Sequence, residues 1–286
     1  MLRVRPPAVA GSFYPEQVAA LSSDVQAMLA MARADANRTP GAVPKAIIVP
    51  HAGYIYSGST AALAYARLAT ARSRIHRVVL LGPVHRVPVR GLALPGVDAF
   101  DTPLGRIPVD QAGVAAIASL PQVVVSPAAH AQEHSLEVQL PFLQTALDDF
   151  TLVPLAVGDA TPKQVAQVLD ALWGGDETLI VISSDLSHFL PYSTAVAVDR
   201  ETVQTMLNLD STVSHSQACG GTPVNGLLLA AQQHRLQPSL LGLCNSGDTA
   251  GDKQRVVGYA ALAFTAVPAV IADANPQSMD AGSSPA

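Results

Sequence analysis

At 286 residues, with 49% hydrophobic and only 14% charged side chains, the chain holds enough apolar material for one large α/β domain or two small ones. A net charge of −5 with no Lys/Arg cluster excludes a nucleic-acid footprint, and no apolar run approaches the roughly 20 residues of a membrane-spanning helix. The basic N-terminus lacks the apolar core of a signal peptide, and Cys219 and Cys244 are too few for a disulfide framework, so a reduced, cytoplasmic protein is expected.

In chain order, residues 16–36 carry Leu, Val, Met and Ala at helical spacing until Pro40-Gly41 breaks the pattern. Ala46–Val49 reads as a buried strand, 57–68 as an Ala-rich helix, and Arg77–Leu81 as the next strand. The Gly- and Pro-rich stretch 86–108 predicts hairpin-like excursions. Helices follow at 111–120, 135–147, 163–172, 194–207 and 225–234. Strands are expected at 123–125, 152–157, 179–182, 240–243 and 256–264. Short apolar runs alternating with helices of ten or more residues predict a three-layer α/β/α sandwich around one largely parallel or mixed central sheet. Residues 1–266 are expected to form a single domain, and the Ala-, Pro-, Ser- and Gly-rich segment 267–286 a disordered tail.

Four apolar runs end beside chemistry-bearing residues. Ala46–Val49 leads to His51 and Arg77–Leu81 to His85; 179–182 leads to Asp185 and His188, and 239–243 to Cys244 and Asp248. Open α/β sheets bind ligands beyond the carboxyl ends of their strands, so four such ends point to one shared site. For a single His, a structural turn residue is as good a reading as a ligand. Two at equivalent strand ends favour a metal.

A third ligand is then needed. Asp248 would complete a two-His, one-carboxylate set suited to non-haem Fe(II), whereas Cys244 would give His₂Cys, suited to zinc or copper. Against these stand plain alternatives, Asp248 as a turn residue and Cys244 as a small buried side chain. Asp185 and His188 are candidate acid/base partners, the carboxylate orienting the imidazole or both supporting a metal. A Ser-His-Asp hydrolase is disfavoured by the close spacing and the missing G-x-S-x-G elbow. Glu133 and Glu137 open a helix and suit its first turn, a role that leaves His130 and His134 unexplained. His134 joins His188 and Asp185 as a candidate catalytic residue. His76, His215 and His234 read as surface residues.

These segments together resemble the Memo family, including its prokaryotic "AmmeMemoRadiSam system protein B" members. The resemblance rests on 10–15 (AGSFYP), Pro50–Gly58, Gly82–His85, Glu133–Phe142, Ser183–His188, Asn245–Asp248 and 256–259 (VVGY), and so covers nearly all of the chain except the tail. It implies a fold similar to the class III extradiol dioxygenases, with a metal site at the strand ends. His51 and His85 fall on the family's two His ligands and His188 on its acid/base-like His. The Cys ligand of animal members aligns with Thr249, beside Asp248 and about five positions past Cys244, and Val84 stands where many relatives carry a polar residue.

Animal members are linked to receptor signalling, copper or iron binding and redox activity, and the prokaryotic name implies a functional link to a radical-SAM protein. The expected cofactor is a divalent metal, iron first, with zinc or copper as alternatives. Three functions follow: a metal-dependent redox or oxygenase-like enzyme using His51, His85, Asp248 and His188; a non-catalytic metal- or peptide-binding partner protein; and, more weakly, a zinc-type hydrolase. The ligand is an unidentified small molecule or peptide.

Overall fold

The computed structural model describes residues 2–36 and 41–267. The expected tail and the Pro40 helix break fall outside these residues.

The chain opens with a short strand β1 (Val4–Arg5) and helix α1 (Val18–Ala36), then strand β2 (Ala46–Val49), helix α2 (Tyr54–Tyr65) with a 3-10 extension, and strand β3 (Arg77–Pro83). The 86–108 excursion contains β4 (Leu92–Leu94), β5 (Ala99–Thr102) and β6 (Gly105–Pro108). Next come α3 (Gln111–Ile117), β7 (Val123–Val125), α4 (Pro127–Ala131), a 3-10 turn at Glu137–Gln139, and α5 (Leu140–Ala146). The C-terminal half alternates β8 (Thr151–Val157), α6 (Pro162–Ala171), β9 (Thr178–Ser183), β10 (His188–Leu190), α7 (Tyr192–Leu207) and α8 (Gly221–Gln233). It closes with β11 (Leu236–Asn245), a 3-10 turn at Ser246–Asp248, and β12 (Val256–Ala266).

Among the described residues the main sheet has nine strands, with the path β10-β12-β2-β9-β3-β8-β4-β7 and β11 on the outer side of β12. The centre, β2-β9-β3-β8, is parallel, while β12 runs antiparallel to β2, and β4 antiparallel to β8. The sheet is therefore mixed. Its parallel strands are apolar on both faces because both are covered. Ile47 and Val49 face the layer of α1, α2 and α5, whereas Ala46 and Ile48 face that of α6, α7 and α8. Val78 and Leu80 alternate with Val79 and Leu81 in the same way.

The expected elements recur with ends shifted by a few residues. β1, α4 and β10 are additional to the expected elements, each five residues or shorter and so too short to show a period in the sequence. No helix among the described residues is long and apolar enough to cross a membrane.

Candidate metal centre

The parallel order β2-β9-β3 brings three strand ends side by side. Pro50, which lacks an N–H for the sheet, ends β2 and releases His51 at its tip. His85 follows β3 by two residues, and the 184–188 loop leaves β9 between them. His51 is buried; His85 opens to solvent.

The third member comes from elsewhere. The loop between α4 and α5 lies over the end of β3, so closely that a Cβ on Gly82 would sit 2.7 Å from Ser135 Oγ. That approach sets His134 against both other imidazoles, as the third corner of a triangle. Ligand atoms of His51, His85 and His134 all lie within 4.8 Å of one another, so the cluster could hold a metal ion. The His85 and His134 rings stack with centroids 4.5 Å apart, and both meet His51 edge-on. Phe13 packs on His134 at 4.7 Å.

Glu133 organises this half of the site. Its Oε2 accepts the His85 backbone N–H at 2.6 Å, and its Oε1 lies 2.8 Å from His85 Nδ1. The backbone N–H groups of His134 and Ser135 also donate to Oε1. Burial alone would raise the Glu133 carboxyl, but the His85 bond and charge and these amides hold it down at about 2. An ionised carboxylate only accepts, so His85 donates from Nδ1, and in the neutral ring Nε2 would be the atom free for a metal.

Burial, reinforced by the repulsion of the other imidazoles, drives His51 well below the ordinary imidazole value and His134 down to about 4. All else equal, these two rings are neutral at pH 7, the form that binds metal.

Of the two places expected for Asp185, the structure puts it not on His188 but beside His51. Its Oδ1 accepts the His51 backbone N–H at 2.7 Å, and its Oδ2 stands 4.0 Å from His51 Nε2. Burial pushes its carboxyl up to about 7, against the pull of the His51 amide and the His85 charge. His188 is instead steered by a carbonyl: its Nδ1–H donates to Leu186 O at 2.8 Å, which leaves Nε2 unprotonated. Burial lowers its pKa, the His85 charge adds to this, and the charge of His188 is in turn felt by His51. Phe189, next to it, is exposed with φ 59° under the Arg255 guanidinium, a left-handed backbone rare for an aromatic residue.

The fourth strand end does not reach this cluster. Because β11 and β2 are both antiparallel to β12, the end of β11 does point to the same sheet edge. Yet β12 lies between them, which sets Cys244 and Asp248 two strand spacings aside, roughly 10 Å. Cys244 Sγ pairs with Thr60 Oγ1 at 3.0 Å. Asp248 Oδ2 accepts the Asn245 N–H, and Tyr192 Oη donates to Asp248 Oδ1 at 2.5 Å. These two therefore stand outside the imidazole cluster, whose third member is His134.

The cysteine beside the cluster is Cys219, at the turn entering α8, which in the sequence bears only on the absence of a disulfide framework. Its Sγ lies 3.3 Å from His51 Nε2. Sulfur and imidazole ligands of one tetrahedral metal would be about 3.5 Å apart, given their usual bond lengths. Burial raises the metal-free thiol to about 12. Both cysteines are free. His130 is structural: it is buried and its Nε2–H donates to Ala93 O at 2.7 Å. His76, His215 and His234 are exposed.

An α/β protein with three convergent imidazoles at the carboxyl edge of its parallel strands is the class that fold and site define. A family described as "Memo-like protein" matches residues 5–263, and the chain belongs to it. A "MEMO1 family protein" of Aquifex aeolicus is 35% identical over 275 residues, which cover 92% of this chain and 100% of the relative. One from Metallosphaera sedula is 34% identical over 286 residues, covering 91% and 99%. A solved structure of an uncharacterized protein from Escherichia coli K12 aligns with TM-score 0.45 at 16% identity, over 75% of this chain and 98% of that one.

Proposed function

We propose that the chain is a non-haem metal protein with redox or oxygenase-like activity, its metal held by His51, His85 and His134 with Cys219 alongside. The observation that carries this reading is the convergence of three imidazoles within 4.8 Å, with the Nδ1–H of His85 tied to Glu133. Imidazoles accept iron, copper or zinc, and a nearby thiol favours the softer or redox-active members of that set. A bound iron would supply a redox-active Lewis acid with open coordination positions. The protein's own part is to hold the donors, to open the site at His85, and to offer His188 Nε2 as a proton acceptor at its edge. Tyr56 and the exposed Phe189 supply apolar surface for an organic small molecule or a peptide side chain. A cytosolic setting suits the two free thiols.

The three-imidazole set also matches zinc hydrolytic sites that keep a fourth position open, and this supports the hydrolase as the second reading. Metal analysis of protein purified without air separates the two. Iron near one per chain, lost in His51→Ala, supports the redox reading, and zinc retained in air supports the hydrolase. A protein that takes up no metal in any condition overturns both.

A further inference from the structure

If His51 is a ligand, as proposed above, its Nε2 must carry a free lone pair, and the groups around Nδ1 determine whether it does. His51 Nδ1 lies 2.9 Å from Ser183 Oγ at the end of β9. A hydroxyl has one proton and two lone pairs, so either atom could be the donor in isolation. The other neighbours of Ser183 remove that freedom. Ser135 O is a carbonyl and can only accept, and Ser183 Oγ stands 2.6 Å from it. Gln139 Nε2 donates to Ser183 Oγ at 2.9 Å.

The Gln139 amide cannot be turned around to change this. Its Nε2 also donates to Pro50 O at 2.9 Å, and its Oε1 accepts from Tyr65 Oη at 2.9 Å. A reversed amide would place oxygen against the Pro50 carbonyl. Ser183, Gln139 and Tyr65 are all buried, so no water replaces a lost partner.

We propose that Ser183, its single proton committed to Ser135 O and one lone pair filled by Gln139, is a positioning residue that holds His51 in the Nδ1–H tautomer with Nε2 free. The converse arrangement would leave two buried acceptors facing each other across 2.6 Å. On the opposite side of the ring Asp185 Oδ2 stands 4.0 Å from Nε2, too far for a hydrogen bond that would hold a proton there. Cys219 Sγ can either donate to Nε2 or accept from it, with Asp185 O within reach at 3.7 Å as an alternative acceptor. The tautomer is thus set from the Tyr65-Gln139-Ser183 side. The segment Glu133–Gln139 then serves both ligands, holding His85 through Glu133 and His51 through Ser135 and Gln139.

The test is the ¹⁵N spectrum of metal-free, ¹⁵N-histidine-labelled full chain, where protonated and unprotonated ring nitrogens resonate far apart. Wild type is expected to show His51 as Nδ1–H. A wild-type His51 in the Nε2–H form overturns the proposal without recourse to any variant. In Ser183→Ala the major form should invert to Nε2–H, donating to Cys219, and Ser183→Thr should restore Nδ1–H. An unchanged tautomer in Ser183→Ala also overturns it. A parallel titration with zinc alone should show affinity about 10- to 100-fold weaker in Ser183→Ala. If wild type shows the Nδ1–H tautomer but binds no zinc or iron, the tautomer assignment stands and the metal reading fails.

Discussion

Glu133 grips His85 twice, its Oε2 accepting the backbone N–H at 2.6 Å and its Oε1 lying 2.8 Å from Nδ1. One carboxylate thus fixes both the position and the tautomer of the most exposed imidazole in the cluster. Glu133→Gln can turn an amide group towards Nδ1 as donor or acceptor, and it loses the charge that makes His85 the better ligand. Zinc affinity, measured by competition with a chromophoric chelator, should fall about 10- to 100-fold while the fold persists.

The composition of the ligand set is open to direct test. His134→Ala should abolish near-stoichiometric metal binding or weaken it by at least the same factor. Asp248→Ala should leave binding unchanged, because β12 separates that residue from the cluster and its carboxylate is engaged by Tyr192 and Asn245. Metal content of the two purified variants, side by side, checks both. Equal loss in Asp248→Ala would contradict the topology.

Stability should depend on pH through the buried histidines, and His130 isolates the effect away from the imidazole cluster. Burial lowers its pKa from 6.5 to about 4, so below pH 6.5 the unfolded chain binds a proton that the native chain refuses. Stability is therefore complete above pH 6.5 and is lost as pH falls towards 4. For this residue the loss between pH 7 and pH 5 is about 2 kcal/mol. Urea midpoints at the two pH values should differ less in His130→Gln than in wild type.

The N-terminal segment is tied down by an ion pair. Arg5 Nη1 donates to Glu137 Oε2 at 2.5 Å, and Glu137 also accepts from the amides of Ala8 and Val9 and from Tyr14 Oη. Both charged side chains are buried. Arg5→Met strands the carboxylate and should cost about 3–5 kcal/mol in urea unfolding, far more than a surface pair. The same substitution should loosen Phe13 against His134, visible as weaker metal binding.

Much of the architecture is legible in the sequence. The strand at 46–49 falls where the apolar run places it, because a strand covered on both faces reads as an unbroken apolar stretch. His51 and His85 stood out for a local reason: each lies just past such a run. The 133–139 segment also stands out in the sequence, where helix-end electrostatics is enough to account for its glutamates. In fact Glu133 precedes the 3-10 turn and binds His85, while Glu137 binds Arg5.

What the amino-acid sequence determined by itself is the set of strand ends and their polar tips, since hydrophobic period and Pro or Gly breaks are local properties. Which tips meet was decided only by strand order. The insertion of β12 between β2 and β11 removed Cys244 and Asp248 from the cluster. The loop over Gly82 brought His134 in, and the turn before α8 brought Cys219 to 3.3 Å from His51. Strand order depends on pairings between residues far apart in the chain, about which a local pattern carries no information.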